Sequence, residues 1–190
     1  MEDRTTAELI EALGDDVARC HAGLLECIDA GEVGADGDVT ADYEFHARQL
    51  IRAILAYIEG VTFSVKVTAI KRCLDSGIEV TDHERHVAVE VDCDLNDKGE
   101  VIERPAKLRL ASNLRFAFQL LERSEKSSAK FDSSSEWWSC LRSTIHVRDR
   151  LTHPRFPEDL DVSGDEIVSA LKAKSGFDAA LAMYVRDDEA

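Results

Sequence analysis

The sequence lacks a long uncharged apolar run. Nowhere in its 190 residues do 18 consecutive apolar residues occur, which is about the length that a helix needs to cross a membrane. The start, Met1-Glu2-Asp3-Arg4, is acidic and has no apolar core of a secretion signal. With 44% hydrophobic and 32% charged residues, the composition predicts a soluble, cytoplasmic protein with a single domain over residues 1–190.

Cysteine pairs are also missing. The five cysteines are odd in number and scattered, with no Cys-x-x-Cys spacing, which argues against a disulfide framework and against a cysteine zinc site. We interpret them as small buried side chains in a reducing compartment. They are Cys20, Cys27, Cys73, Cys93 and Cys140.

The short motifs of several common enzyme classes are absent. There is no Gly-x-x-x-x-Gly-Lys loop, no Gly-x-Ser-x-Gly elbow and no Gly-x-Gly-x-x-Gly turn, so the usual signals of NTPases, hydrolases and dinucleotide-binding enzymes are missing. His83 and His86 stand beside Asp82 and Glu84, but their spacing matches no defined zinc motif. We therefore expect neither a cofactor nor a metal.

Positive charge is scarce but concentrated. The formal net charge is −15, which disfavours loose attraction to a polyanion such as RNA. Between Ser139 and Phe156, however, four arginines face one aspartate, while the segment from Pro157 to Ala190 has nine acids and three bases. A basic island in an acidic body indicates either a focused anion site or a surface paired with an acidic neighbour.

Apolar residues recur at helical spacing over most of the chain, which predicts an all-α fold. Thr5-Thr6-Ala7-Glu8 has capping-box spacing and predicts the first helix start, and Gly31 to Gly37 predicts a loop. Val61 to Val67 alternates like a strand, but the pattern on both sides is helical, so we predict that one long helix continues through it. The predicted helices cover roughly residues 5–30, 41–74, 113–125, 136–152 and 165–185.

The segment from Val80 to Leu110 interrupts the helical pattern. Thr81 has capping-box spacing to Glu84, His86 to Leu95 alternates like a strand, and the turn Asn96-Asp97-Lys98-Gly99 precedes a second alternating segment around Lys107 to Leu110. We predict an insertion holding a hairpin or a short helix. The fold class is then an up-and-down bundle of about five helices with residues 80–110 inserted.

The richest cluster of functional side chains is Arg148-Asp149-Arg150-Leu151-Thr152-His153, followed by Pro154. Arginine is a permanent donor for phosphate oxygens, and histidine exchanges a proton near neutral pH. Metal-free cleavage of a phosphodiester requires a pair of this kind. Pro154 disfavours helical geometry at His153, so the fourth helix should end just before it.

Arg148 and His153 are separated by four residues, and Asp149 follows the arginine. This resembles the Arg-x(4–6)-His signature of the HEPN superfamily (higher eukaryotes and prokaryotes nucleotide-binding domains), where a polar residue usually follows the arginine. Three further segments look like those of uncharacterised bacterial HEPN-like proteins, and the similarity covers most of residues 41–185. They are Ala56-Tyr57-Ile58-Glu59-Gly60, Asn113-Leu114-Arg115-Phe116, and His153-Pro154 running into residues 157–163.

The resemblance implies an all-helical bundle with the motif at the end of a late helix. It also implies a metal-independent endoribonuclease that acts as a homodimer in stress, defence or toxin–antitoxin settings, with an antitoxin or other protein partner. His153 would exchange protons with the ribose 2′-OH or the leaving oxygen, Arg148 would hold the phosphate, and Asp149 would orient a side chain or bridge the dimer. The alternatives are a non-catalytic module that binds a partner protein or a nucleotide, and cations that only stabilise a helix end.

Other binding candidates lie close to this motif. Arg142, His146 and Arg150 follow four-residue steps and form either a phosphate-contacting stripe or a solvated helix face. Glu59 either orients Arg148 or is a surface carboxylate beside Arg52 and Lys66. Trp137 and Trp138 either stack on bases or, as we favour, pack in a core or a dimer seam.

Overall fold

The structure, a computed structural model, describes residues 2–33, 39–126 and 128–185. These residues are mostly helical, with one two-stranded sheet among them, which confirms the all-α expectation. In chain order the elements are α1 (Glu2–Asp29), α2 (Ala41–Asp75), α3 (Asp82–Ala88), β1 (Val91–Leu95), β2 (Val101–Pro105), α4 (Leu110–Ser124), α5 (Glu136–Thr152), a short 3₁₀ helix (Pro157–Leu160) and α6 (Gly164–Val185).

Helix α2 is continuous from Ala41 to Asp75, so the prediction of one long helix is confirmed. The strand-like stretch from Val61 to Val67 lies inside it. Preference for a strand depends strongly on packing context, and here the helical apolar pattern on both sides decides the conformation. Gly60 does not interrupt the helix, and a methyl group at this position would collide with the side chain of Leu13 on α1.

By length and composition alone, α2 meets the criteria for a membrane span, with an 18-residue window of mean hydropathy 1.5. A membrane-spanning window can hold two charged residues, so this finding is compatible with the absence of an uninterrupted apolar run. Of the window, 44% is buried inside the protein, and Leu50, Ile54 and Ile58 in the same helix have no exposed surface. Core helices of soluble proteins meet the same criteria.

Three boundaries differ from the sequence predictions. Helix α1 begins at Glu2, before Thr5, so Thr5 is not its N-cap. Helix α4 begins at Leu110, three residues before Asn113, because Arg109 has the extended backbone of an N-cap residue and Leu110 is buried. The second strand pairs Val101–Pro105 with β1, not the segment after Lys107. Of the predicted loop from Gly31 to Gly37, residues 34–37 lie outside the described residues.

The predicted caps differ in how they are made. Thr81 and Glu84 form a reciprocal capping box at the start of α3, and Ser163 and Glu166 exchange the same bonds at α6. Ser135 is the N-cap residue of α5, but its hydroxyl donates to the carbonyl of Asp132 at 2.8 Å instead of capping the helix. The segment from Val80 to Leu110 contains both a short helix and a hairpin.

The chain divides into two compact units, of which the first comprises residues 1–60 and 132–179. Within it, α1 and α2 run antiparallel, because Gly14 lies opposite Tyr57 and Gly23 lies opposite His46. A methyl group at Gly23 would lie 2.5 Å from Cε1 of His46, so glycine lets the two helices approach here. The single domain predicted from chain length stays a prediction.

Helices α5 and α6 of the first unit are also antiparallel. Lys172 pairs with Glu136 at 2.7 Å near the start of α5, and Arg150 pairs with Glu166 at 3.2 Å near its end. Trp137 contacts Gly176 on α6, where a methyl group would collide with the indole. Trp138 is 3% exposed. Both tryptophans therefore contribute to packing in this unit, as favoured from the sequence.

The second unit comprises residues 61–131 and 180–190. Lys66 of α2 is completely buried there, so the interpretation of Lys66 as a surface cation beside Glu59 is wrong. Its ammonium donates to Glu90 Oε1 at 2.7 Å and to the carbonyl of Val87 at 3.2 Å, while Asn113 donates to the same carboxylate oxygen at 2.8 Å. Glu90 has a positive φ of 56°, an uncommon conformation for a residue with a side chain.

Candidate functional site

The guanidinium of Arg148, on α5, lies between two carboxylates. Its Nη1 donates to Glu59 Oε1 at 3.0 Å, and its Nε donates to Asp149 Oδ1 at 3.0 Å. The Arg148 side chain is 28% exposed, and those of Glu59 and Asp149 are 44% and 59% exposed. The structure thus brings together Arg148, Asp149 and Glu59, three of the residues selected from the sequence.

His153 follows the last residue of α5. Helix α5 ends at Thr152, as predicted from Pro154, and the backbone N–H of His153 still donates to the carbonyl of Asp149 at 3.1 Å. The imidazole is exposed. Within the part of the chain that the structure describes, it has no hydrogen bond and no ion pair, so both ring nitrogens remain available for proton exchange.

The turn after His153 is fixed by a residue that the sequence analysis did not select. The carboxylate of Asp159 accepts the backbone N–H of Arg155 at 2.7 Å and that of Phe156 at 2.9 Å. These two amide donors, with smaller contributions from Arg150 and Arg155, hold the pKa of Asp159 below its usual range. The only sequence signal is the spacing of Phe156 and Asp159. They are three residues apart, which is the spacing of a capping interaction.

The last turn of α5 is held by side chains as well. Arg52 of α2 donates through Nη2 to the carbonyl of Leu151 at 3.0 Å, and Thr152 donates its hydroxyl to the carbonyl of Arg148 at 2.7 Å. The carbonyl of Leu151 lies in the last turn, where carbonyls lack intrahelical partners, so the bond from Arg52 fixes the end of the helix that bears Arg148. From the sequence, Arg52 was considered only as a neighbour of Glu59.

The remaining candidates are distributed differently. Arg150 donates through Nη2 to Glu166 and, at 2.6 Å, to the carbonyl of Asp161, so protein atoms already occupy this nitrogen of its guanidinium. Arg142 and His146 are exposed on α5. Neither side chain has a hydrogen bond or ion pair to residues 2–33, 39–126 or 128–185. Their predicted phosphate contacts stay predictions.

This arrangement defines what the site is able to do. Among the described residues, none bonds to Nη2 of Arg148, which leaves one donor group for a phosphate oxygen. His153 supplies an acid or base at the same end of α5. Glu59 and Asp149 together outweigh the single charge of Arg148, so a phosphate has to compete with two carboxylates. No three His, Cys, Asp or Glu side chains in the described ranges are grouped so that they would hold a metal ion.

Comparison of the chain with known proteins gives no relative. No family model matches it. The same holds for curated proteins and for solved structures.

Proposed function

We propose that this chain is a HEPN-type, metal-independent endoribonuclease that cleaves single-stranded RNA. The observation that carries the proposal is the combination of an exposed His153, whose imidazole has no partner among the described residues, with an Arg148 guanidinium that two carboxylates orient. The similarity of the Arg148–His153 motif to that superfamily supports the same activity. We further propose that the protein is cytoplasmic, forms a homodimer and works in stress, defence or toxin–antitoxin responses.

The proposed reaction needs only the RNA, these side chains and water, which carries the proton that His153 does not exchange. A base removes the proton of the ribose 2′-OH, and the 2′-oxygen attacks the adjacent phosphorus while the bond to the 5′-oxygen breaks. The leaving oxygen takes up a proton, so the products are a 2′,3′-cyclic phosphate and a 5′-hydroxyl. His153 exchanges one of these protons, and Nη2 of Arg148 donates to the phosphate oxygen on which charge develops.

The test is cleavage of a single-stranded RNA oligonucleotide by purified protein in EDTA. We expect His153→Ala and Arg148→Ala to lower the rate by about 10²–10⁴. A 2′-deoxy substitution at the cleaved nucleotide should block the reaction. His86→Ala and Arg85→Ala are matched controls, because both residues are exposed on α3 and stand outside the candidate site. Equal cleavage by all four variants and the wild type would refute the proposal.

A second candidate function is a non-catalytic module that binds a partner protein or a nucleotide. The net charge of −15 and the two carboxylates beside Arg148 favour this reading, because an RNase gains affinity from positive charge. In that case the wild type shows no cleavage under the same conditions. The wild type would instead bind the partner protein or nucleotide, and the Arg148→Ala variant would lose a contact to it.

A further inference from the structure

A cavity of about 560 Å³ opens between α1 and the first half of α2, within the first unit. Its volume lies in the range of small-ligand sites, about 300–1,000 Å³. Helix α1 contributes Asp16, Arg19 and Cys20 to the lining, and the other lining residues come from α2. None of these residues has a role in the reaction proposed above.

The polar part of the lining suits an anion. Arg19 is exposed, and its side chain has no hydrogen bond or ion pair with any residue that the structure describes. Arg52 donates through Nη2 to the carbonyl of Leu151, which leaves its Nε and Nη1 groups as donors for a ligand. The lining has one carboxylate, that of Asp16, against these two guanidinium groups. In a chain with net charge −15, such a local excess of cations favours a phosphate.

The remaining lining suits a nucleobase. Phe45 is 51% exposed, and its ring meets that of His46 edge to face at 5.5 Å. Exposed aromatic rings of this kind stack on bases without regard to sequence. Ala53 and Ala56 add an apolar wall. Gln49 supplies both an amide donor and a carbonyl acceptor, which is what the edge of a base requires.

Cys20 does not act as a nucleophile or a metal ligand in this cavity. Burial, and to a smaller degree the charge of Asp16, raises the pKa of its thiol. The thiol therefore stays protonated at neutral pH, whereas nucleophilic and metal-binding cysteines are thiolates. Reversible binding is the chemistry that the lining supports.

The cavity also adjoins the candidate site. Arg52 lines the cavity and bonds to Leu151, two residues before His153. Ala56 lines it three residues before Glu59, which is about 4.5 Å along the axis of α2. A strand of RNA whose scissile phosphate is held at Arg148 therefore has a neighbouring place for another nucleotide.

We propose that this cavity binds one nucleotide of a single-stranded RNA, with its base on Phe45 and its phosphate between Arg19 and Arg52. The choice of RNA as the ligand rests on the proposed function. It adds a subsite that sets the affinity for substrate without taking part in proton transfer. A free nucleoside monophosphate has the same base and phosphate, so it serves as a minimal probe.

The experiment measures binding in a background that does not cleave. In the His153→Ala protein, affinity for a fluorescent single-stranded RNA oligonucleotide is determined at several salt concentrations, with and without Arg19→Gln or Phe45→Ala. Each second substitution should weaken binding about tenfold. Arg19→Gln should also reduce the slope of log affinity against log salt by about 0.7, the value for one phosphate contact on a single strand, whereas Phe45→Ala should leave the slope unchanged. Arg85→Ala is the control for loss of a cation elsewhere.

The outcomes separate the two proposals. If affinity and salt slope are the same with and without the cavity substitutions, the cavity is not an RNA subsite. The same conclusion follows if the oligonucleotide does not bind. If the substitutions weaken binding as expected while the wild type cleaves no RNA, the subsite stands and the catalytic proposal fails. Competition by adenosine monophosphate, but not by inorganic phosphate at the same concentration, should accompany specific binding, and competition by both alike would contradict a role for the base.

Discussion

Glu59 Oε1 accepts a hydrogen bond from Arg148 Nη1 at 3.0 Å, so a carboxylate in the middle of α2 orients a guanidinium in the last turns of α5. The two residues are 89 positions apart in the chain. The partly exposed ion pair itself contributes little to stability, about 0–1 kcal/mol. Its consequence is geometric, because it fixes which edge of Arg148 is available to a ligand.

Glu59→Gln tests this positioning role. The amide keeps the size of the side chain and removes its charge, so we expect the free energy of unfolding to fall by less than about 1 kcal/mol. The kcat for RNA cleavage should fall about tenfold, which corresponds to about 1.4 kcal/mol in the barrier. Glu166→Gln is the matched control, since it removes the partner of Arg150 and leaves Arg148 alone. An equal loss of kcat in both variants would show that Glu59 has no special role.

Asp159→Asn tests how the turn after His153 is held. The pKa of Asp159 is lowered mainly by the amide donors of Arg155 and Phe156, so its stabilising effect is present above the usual carboxyl pKa and is lost as pH falls through the lowered value. We expect faster hydrogen exchange at the two amides in the variant at pH 7, because bonds to a neutral acceptor are weaker. In the wild type the same loss of protection, measured against the intrinsic exchange rate at each pH, should occur only in acid. Unchanged exchange in the variant would contradict the assignment.

Glu90→Gln should destabilise the protein more than Lys66→Met. The Lys66 ammonium is completely buried, while the Glu90 side chain is 35% exposed. Loss of Glu90 therefore leaves the buried charge of Lys66 without its counter-ion, which costs about 3–5 kcal/mol. Loss of Lys66 leaves the carboxylate of Glu90, which water and Asn113 still reach. Chemical denaturation at pH 7 measures both values. A larger loss in Lys66→Met would contradict this account.

The pH dependence of Glu90→Gln follows from Lys66. Burial lowers the pKa of Lys66, against the opposing effect of Glu90, and removing Glu90 should lower it further. The unfolded chain then binds the proton more tightly than the folded chain, so the stability of the variant should rise with pH up to the ordinary lysine pKa. Stability of the variant that falls over this range would show that Lys66 is not the responsible group.

Alkaline pH should weaken the protein through two tyrosines. Burial, followed by the nearby Asp178, raises the pKa of Tyr57 to about 12, and Tyr184 is raised to about 12 by burial and Glu122. A raised pKa gives stability that is present below pH 10 and is lost as pH rises toward 12. Tyr57→Phe and Tyr184→Phe should each reduce the slope of unfolding free energy against pH in this window. An unchanged slope in both would contradict the raised values.

Helix content and the end of α5 were predictable from local signals. The end of α5 follows from Pro154, which disfavours helical geometry at the residue before it. The start of α1 was not predictable from these signals. A capping box only marks where a helix is able to begin, and here helical residues precede Thr5. For Val61 to Val67 the sequence offered two conformations, and the longer helical pattern around it selected the correct one.

The candidate site was predictable in its residues but less so in its contacts. Arg148, Asp149 and His153 are close in sequence, and their chemistry is evident there. For Glu59, orientation of Arg148 was one of two open alternatives, and only packing of α2 on α5 selected it. Asp159 and Arg52 were not selected, because their partners are backbone groups, which no residue pattern displays.

The sequence by itself determined a mostly helical chain, a basic island in an acidic protein and an arginine–histidine motif at a helix end. These properties depend on neighbouring residues and on backbone preferences. Only the tertiary structure decided that Lys66 is buried against Glu90, that Arg150 bonds to Glu166, and that Arg148 keeps one donor group for a ligand. The physical reason is that burial and ion pairing depend on distances between residues far apart in the chain, which are fixed only when the helices pack.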